Sequence, residues 1–103
     1  MVSLTKETAL EYAQDRIRVN AIASGFYGGK LAHWRDTPGE EERRRKFEGA
    51  IAGTTPMGRR SVPAELSGIV LYRAFDASSY VTGQVFISDG GICIYWSWKH
   101  FPN

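Results

Sequence analysis

The chain has 103 residues, 43% hydrophobic and 23% charged, with 13 Lys+Arg against 11 Asp+Glu and a formal net charge of +2. Near-balanced charge and 13% aromatic residues exclude a disordered chain, and the small basic surplus predicts no nucleic-acid partner. The longest apolar runs, residues 21–23 and 69–72, fall far short of the roughly 20 residues that cross a bilayer, so no membrane association is expected.

The opening residues lack the basic and apolar regions of an export signal, and a cytoplasmic location is expected. The single cysteine, Cys93, permits no internal disulfide and builds no metal site alone. A chain this short supplies at most one domain with a modest core.

Residues 2–16 read as a helix free of Pro and Gly, with Val2, Ala9, Leu10 and Ala13 gathered on adjoining faces. The apolar pattern is already running at Met1 and Val2, with no capping residue before it, as if the helix were entered in its middle. Residues 17–23 alternate Ile17, Val19, Ala21 and Ala23 with Arg18, Asn20 and Ile22, the pattern of a short strand. Ser24-Gly25 and Gly28-Gly29 break it and open a loop over residues 24–37.

A second helix is expected from Thr37-Pro38 to Gly53, with Thr37 as cap and Pro38 in the first turn. Glu40, Glu41 and Glu42 favour its positive end, and Arg44, Arg45 and Lys46 stand at i,i+4 from them. That self-pairing makes the basic run 43–46 a solvated helix face rather than a phosphate or nucleic-acid patch. Phe47, Ala50 and Ile51 give the helix an apolar edge. A loop with Pro56, Gly58, Arg59 and Arg60 leads to a third helix from Pro63, with Leu66, Ile69, Val70 and Ala74 as its core stripe. Residues 76–83 form a turn, residues 84–88 a strand, and Asp89-Gly90-Gly91 ends it. The tail, residues 92–103, carries Tyr95, Trp96, Trp98 and Phe101.

Two strands separated by helices argue for a parallel pair joined by a right-handed crossover. Two parallel strands do not make a stable sheet, so the chain reads as one end of a larger α/β fold.

Several segments resemble the short-chain dehydrogenase/reductase family, in order and at natural spacing. Leu4-Thr5-Lys6 through Tyr12 and residues 17–23 look like its central helix and strand, and Ser24-Gly25 stands where these enzymes usually carry Pro-Gly. Arg60-Ser61-Val62-Pro63-Ala64-Glu65 matches an Arg-x-x-Pro-x-Glu helix start. Tyr80-Val81-Thr82-Gly83-Gln84 and Asp89-Gly90-Gly91 match the family's last turn and strand.

The resemblance implies the C-terminal portion of a doubly wound parallel Rossmann sheet, a single partial domain over residues 1–103. The function it implies is NAD(P)-dependent hydride transfer between a ketone and a secondary alcohol. The glycine-rich dinucleotide loop and the Tyr-x-x-x-Lys pair of the family are not in this sequence, with the Lys position falling just before Met1. No catalytic residue is therefore assigned, and the chain alone is expected to be inactive. Tyr12 with Arg16 is not promoted to the catalytic pair, because it stands in the wrong place relative to the strand.

By the same resemblance, Ser24, Gly25 and Phe26 form the shelf for the nicotinamide, and residues 26–53 are the variable substrate lid. Tyr27, His33 and Trp34 are its pocket candidates. The bland alternatives are a turn glycine at Gly25 and lid aromatics that only pack the helix. His33 has no partner at metal-ligand spacing, so no metal is expected. Asp89 is expected to serve as a turn or cap residue. Arg73 stands where the family has a buried apolar residue, and must reach solvent or a carboxylate. The expected partners are a small alcohol or ketone and a second copy, through the first helix and last strand. The alternative is a non-catalytic interaction module or gene remnant that associates with itself or with a full-length relative.

Overall fold

A computed structural model describes residues 1–28 and 39–95. Along the chain run α1 (Val2–Tyr12), a 3-10 turn (Ala13–Asp15), β1 (Ala21–Ser24), α2 (Glu40–Thr54), α3 (Ala64–Ala74), a second 3-10 turn (Asp76–Ser78) and β2 (Val85–Ser88). The two strands pair in parallel, as expected of the end of a doubly wound sheet. The chain divides into two compact units, residues 1–23 with 64–88 and residues 24–63 with 89–103. No helix among the described residues is long and apolar enough to cross a membrane.

In the first unit, α1 stops four residues before its expected end. Arg16 takes a left-handed conformation (φ 60) and its N–H bonds the Ala13 carbonyl, which closes the helix through a 3-10 turn. Only Thr5 and Ala9 of α1 are buried; Val2, Leu10 and Ala13, expected on its apolar faces, are exposed. Ala9 is held because Gly83 lies against it, in van der Waals contact range of a side chain.

Residues 17–20 precede the strand rather than forming it. Their polar side chains take bonds that a ladder would otherwise supply. Asn20 donates to the Val81 carbonyl (3.0 Å) and accepts from Gln84 N–H (3.1 Å), while Val19 N–H bonds the Thr82 hydroxyl (3.1 Å). Regular pairing starts where Ala21 N–H donates to the Gln84 carbonyl at 2.9 Å. Arg18 reaches across to the Ser78 carbonyl (2.8 Å) and hydroxyl (2.9 Å), which lets the Ser78 side chain sit fully buried.

α3 buries no residue completely: Leu66 and Ile69 are half-buried, and Val70 and Ala74 of the expected stripe are exposed. A two-stranded sheet offers too little surface to cover that stripe. Among the described residues Arg73, at the end of α3, pairs with no carboxylate. Its guanidinium donates to the Asn20 carbonyl and lies 5.7 Å from the Phe86 ring centroid, while its Nε is buried without a partner. Tyr72 adds an edge-to-face contact with Phe86 at 6.2 Å.

In the second unit, α2 is described from Glu40; Thr37 and Pro38, its expected start, lie outside the described residues. Gly39 stands before it with φ 94, a conformation that favours glycine. The helix passes Gly53 by one residue, ending when Thr55 turns extended. Its exposed face pairs Arg43 with Glu40 (3.1 Å) and Arg45 with Glu42 (2.6 Å) at i,i+3, and Lys46 with Glu42 (3.7 Å) at i,i+4. Of the expected apolar edge, Ile51 is buried, whereas Phe47 and Ala50 stay exposed.

Candidate functional site

Ser24, Gly25 and Phe26 stand in the second unit, at the carboxyl end of β1, the position where open α/β sheets bind their ligands. Ser24 is exposed, Gly25 half-buried, and Phe26 44% exposed. The backbone then turns into one rung of parallel pairing. Ser61 N–H donates to the Phe26 carbonyl (2.8 Å) and Gly28 N–H donates to the Ser61 carbonyl (2.7 Å), with Tyr27 bridged to Ser61. Tyr27 is half-buried beside this rung. His33 and Trp34, the other lid candidates, lie outside the described residues.

Gly25 is glycine because of the chain itself. A Cβ there would stand 2.7 Å from Asp89 Cα and 3.1 Å from the Asp89 carbonyl oxygen, both backbone atoms. Its φ is not positive, so the turn alone does not demand glycine. Neither turn geometry nor ligand approach is needed to explain the residue: the close neighbour is the backbone that follows β2.

Asp89 is the turn residue its sequence position suggested. Its carboxylate accepts from Gly91 N–H (2.8 Å) and Cys93 N–H (3.0 Å), which caps the helical turn over residues 92–95. The bond from the Cys93 thiol, then those amides, hold the Asp89 carboxyl below the usual carboxylate range. The same pairing with the carboxylate pushes the Cys93 thiol up. A carboxylate so stabilised is an anchor and a poor proton acceptor.

Gly90 and Gly91 both have positive φ (65 and 94), and each leaves room for the loop that follows α2. A Cβ on Gly90 would lie 2.6 Å from Thr55 Cγ2, and one on Gly91 3.1 Å from Pro56 Cγ. Met57 N–H closes this seam on the Gly90 carbonyl at 3.1 Å.

Two more groups, unassigned from sequence, shape the same unit. Arg60 packs under Gly28, where a Cβ would lie 3.0 Å from its Cζ, and pairs with Glu48 of α2 at 2.7 Å. No sequence signal marked this contact: Gly28 has no positive φ, and Gly49, Gly53 and Gly68, which have none either, meet nothing within 4 Å. Among the described residues no group of three or more His, Cys, Asp or Glu could hold a metal ion.

Around Gly25, whose Cβ side is filled by Asp89, the exposed residues are Ser24 and Phe26. The Phe26 carbonyl is already engaged by Ser61 and is a weaker candidate for a further donor. Among the described residues no His, Asp or Glu stands in residues 24–28 as a general base.

A family model described as enoyl-(acyl carrier protein) reductase matches residues 1–93. The chain is 39% identical over 95 residues to the oxidoreductase YxbG of Bacillus subtilis, covering 92% of this chain and 35% of the relative. Over 94 residues it is 39% identical to the 3-oxoacyl-[acyl-carrier-protein] reductase FabG of Thermotoga maritima, covering 91% and 35%. Among solved structures, it is similar to a short-chain type dehydrogenase/reductase from Mycobacterium marinum, with a TM-score of 0.73 and 36% identity over 88% of this chain and 32% of that one. It is also similar to 4-hydroxyisoleucine dehydrogenase complexed with NADH, with a TM-score of 0.77 and 25% identity, covering 90% and 36%. The chain thus spans about a third of the length of the relatives it matches.

Proposed function

The chain belongs to the short-chain dehydrogenase/reductase family, and from that premise we propose that it is the C-terminal third of an NAD(P)-dependent oxidoreductase acting on a ketone or secondary alcohol. The observation that carries this reading is the shelf: Ser24-Gly25-Phe26 ends a strand of a parallel pair, at the edge where a doubly wound sheet receives its ligand.

In this reading the cofactor, when bound, supplies or accepts the hydride. The residues of this chain do the positioning. Gly25, pressed on Asp89, gives a backbone surface rigid enough to hold a planar ring, and Ser24 and Phe26 border it. Tyr27 borders the substrate side, and His33 and Trp34 are the further pocket candidates that the family resemblance assigns to the lid. Proton transfer needs a tyrosine of lowered pKa; the one Tyr-x-x-x-Lys spacing in these residues, Tyr95 with Lys99, falls in the tail after Asp89-Gly90-Gly91 and not on the helix ahead of residue 17 where the family carries its pair, so the chain alone does not turn over substrate. A second copy docks through α1 and β2, where Leu4, Leu10 and Ile87 are exposed, and the protein works in the cytoplasm.

The test is the intact mass and NADH binding of the native product, captured with an antibody against residues 92–103. A mass well above 11.5 kDa, with NADH fluorescence that saturates on titration, is the expected result. A native product of 11.5 kDa that leaves NADH fluorescence unchanged removes the oxidoreductase reading. The interaction-module reading, favoured by the exposed apolar residues of α1, would then stand.

A further inference from the structure

The ion pairs of α2 fall into two kinds. Those of Arg43, Arg45 and Lys46 join residues of the same helix, with the basic side chains 70–79% exposed. Each of these pairs stays within α2. Arg60 to Glu48 is different: it is tertiary, 2.7 Å long, and only 27% and 34% exposed. A pair this short and this sheltered is a charge-assisted hydrogen bond, stronger than an exposed one.

Arg60 is held in place from its other side. Its guanidinium lies against Gly28, where any Cβ would come within 3.0 Å of Cζ and Nε. Its chain neighbour Ser61 bonds the Phe26 carbonyl and the Gly28 amide. One residue pair therefore connects the lid helix to the segment that leaves the Ser24-Gly25-Phe26 shelf.

We propose that Arg60 is a positioning residue: its ion pair with Glu48, seated against Gly28, fixes α2 relative to residues 26–28 and so sets where the substrate lid lies over the shelf. The last step rests on the oxidoreductase reading above; the mechanical step does not. Arg suits the role because its planar fork can hold Glu48 while its flat face packs on a glycine.

The test uses the native product with Glu48→Gln, Arg60→Lys and Gly28→Ala, read in two ways. The first is amide hydrogen exchange. Glu48→Gln and Gly28→Ala should speed exchange at Ser61 and Gly28 about tenfold, with Arg60→Lys in between, while the amides of Ala21 and Gly83 keep their protection. Unchanged exchange at Ser61 and Gly28 in Glu48→Gln overturns the proposal. Loss of protection at Ala21 and Gly83 as well also overturns it, because the effect is then general unfolding.

The second readout is kinetic, with NADH and a ketone that the native product reduces. Glu48→Gln should raise KM for the ketone several-fold, leave kcat within about twofold, and leave NADH affinity unchanged. Faster exchange with an unaltered KM overturns the step from clamp to lid. A native product that binds no NADH overturns the oxidoreductase reading alone, and the exchange experiment still decides the clamp.

Discussion

Gly25 carries the tightest constraint at the candidate site, and the atoms that impose it belong to the backbone. Alanine there would put its Cβ 2.7 Å from Asp89 Cα, and a backbone atom cannot swing aside as a side-chain tip can. Gly25→Ala should therefore destabilise the protein by roughly 1–3 kcal/mol, the usual cost of overpacking. Urea denaturation of the two forms checks this; equal midpoints would mean that the Asp89 backbone yields. Sequence made Gly25 legible as a special position but not the reason, because its neighbour lies 64 residues away in the chain.

Asp89 and Cys93 form a second residue-scale device, with a pH window. The depressed Asp89 carboxyl contributes to the turn over residues 92–95 above the ordinary carboxylate range, and that contribution is lost as pH falls through its lowered value. The raised Cys93 thiol keeps its proton in the bond below the ordinary thiol range, and that bond is lost as pH rises through its raised value. The turn is thus held best between about pH 4 and pH 8.5. Asp89→Asn should return the thiol to ordinary acidity, so iodoacetamide should alkylate Cys93 faster at mildly alkaline pH than in the native protein. Equal alkylation rates across the pH range would show that the carboxylate does not govern the thiol.

At the scale of elements, periodicity located α1, β1, α2, α3 and β2, missed the helical turn over residues 92–95, and overstated what each element buries. α2 shows why. Phe47, Ala50 and Ile51 share an apolar edge in sequence, yet only Ile51 is buried, at 4% exposure, while Phe47 is 42% exposed. Ile51→Ala should cost about 2 kcal/mol or more, and Phe47→Ala, although it removes a larger side chain, should cost less. Chemical denaturation separates the two, and the reverse order would mean that Phe47 is the anchor of α2. Boundaries were less legible than the elements. The strand predicted over residues 17–23 shrank to Ala21–Ser24 because Asn20 and Thr82 bond the backbone with their side chains, a competition that alternation cannot reveal. Arg73 was expected to reach solvent or a carboxylate, and instead met no carboxylate among the described residues, with its Nε buried. Its resolution, a backbone carbonyl and a ring face, depended on residues more than ten positions away on either side.

For the molecule as a whole, the contrast lies between the family's sheet and the surface this chain leaves uncovered. Among the described residues the buried apolar side chains are Ala9, Ala21 and Ile51, while Leu4 is 67% exposed, Leu10 80% and Ile87 60%. The sequence already carried this asymmetry: α1 has apolar residues on more than one side, and two parallel strands are fewer than such sheets normally have. The lid could not be read the same way, because its sequence departs most from the family and part of it lies outside the described residues. If the chain is the C-terminal third of a larger Rossmann unit, one substitution must have two different costs. In the 103-residue chain alone, Leu4→Ala alters an exposed site and should shift stability by no more than about 0.5 kcal/mol. In the family-length protein, with preceding strands and helices packed on α1, the same change should empty a covered position and cost about 2 kcal/mol or more. Urea denaturation of both proteins, each with and without the substitution, measures the difference directly. A neutral result in both would mean that neither preceding elements nor a second copy covers Leu4 in the longer protein, and would count against α1 as a packing or docking face.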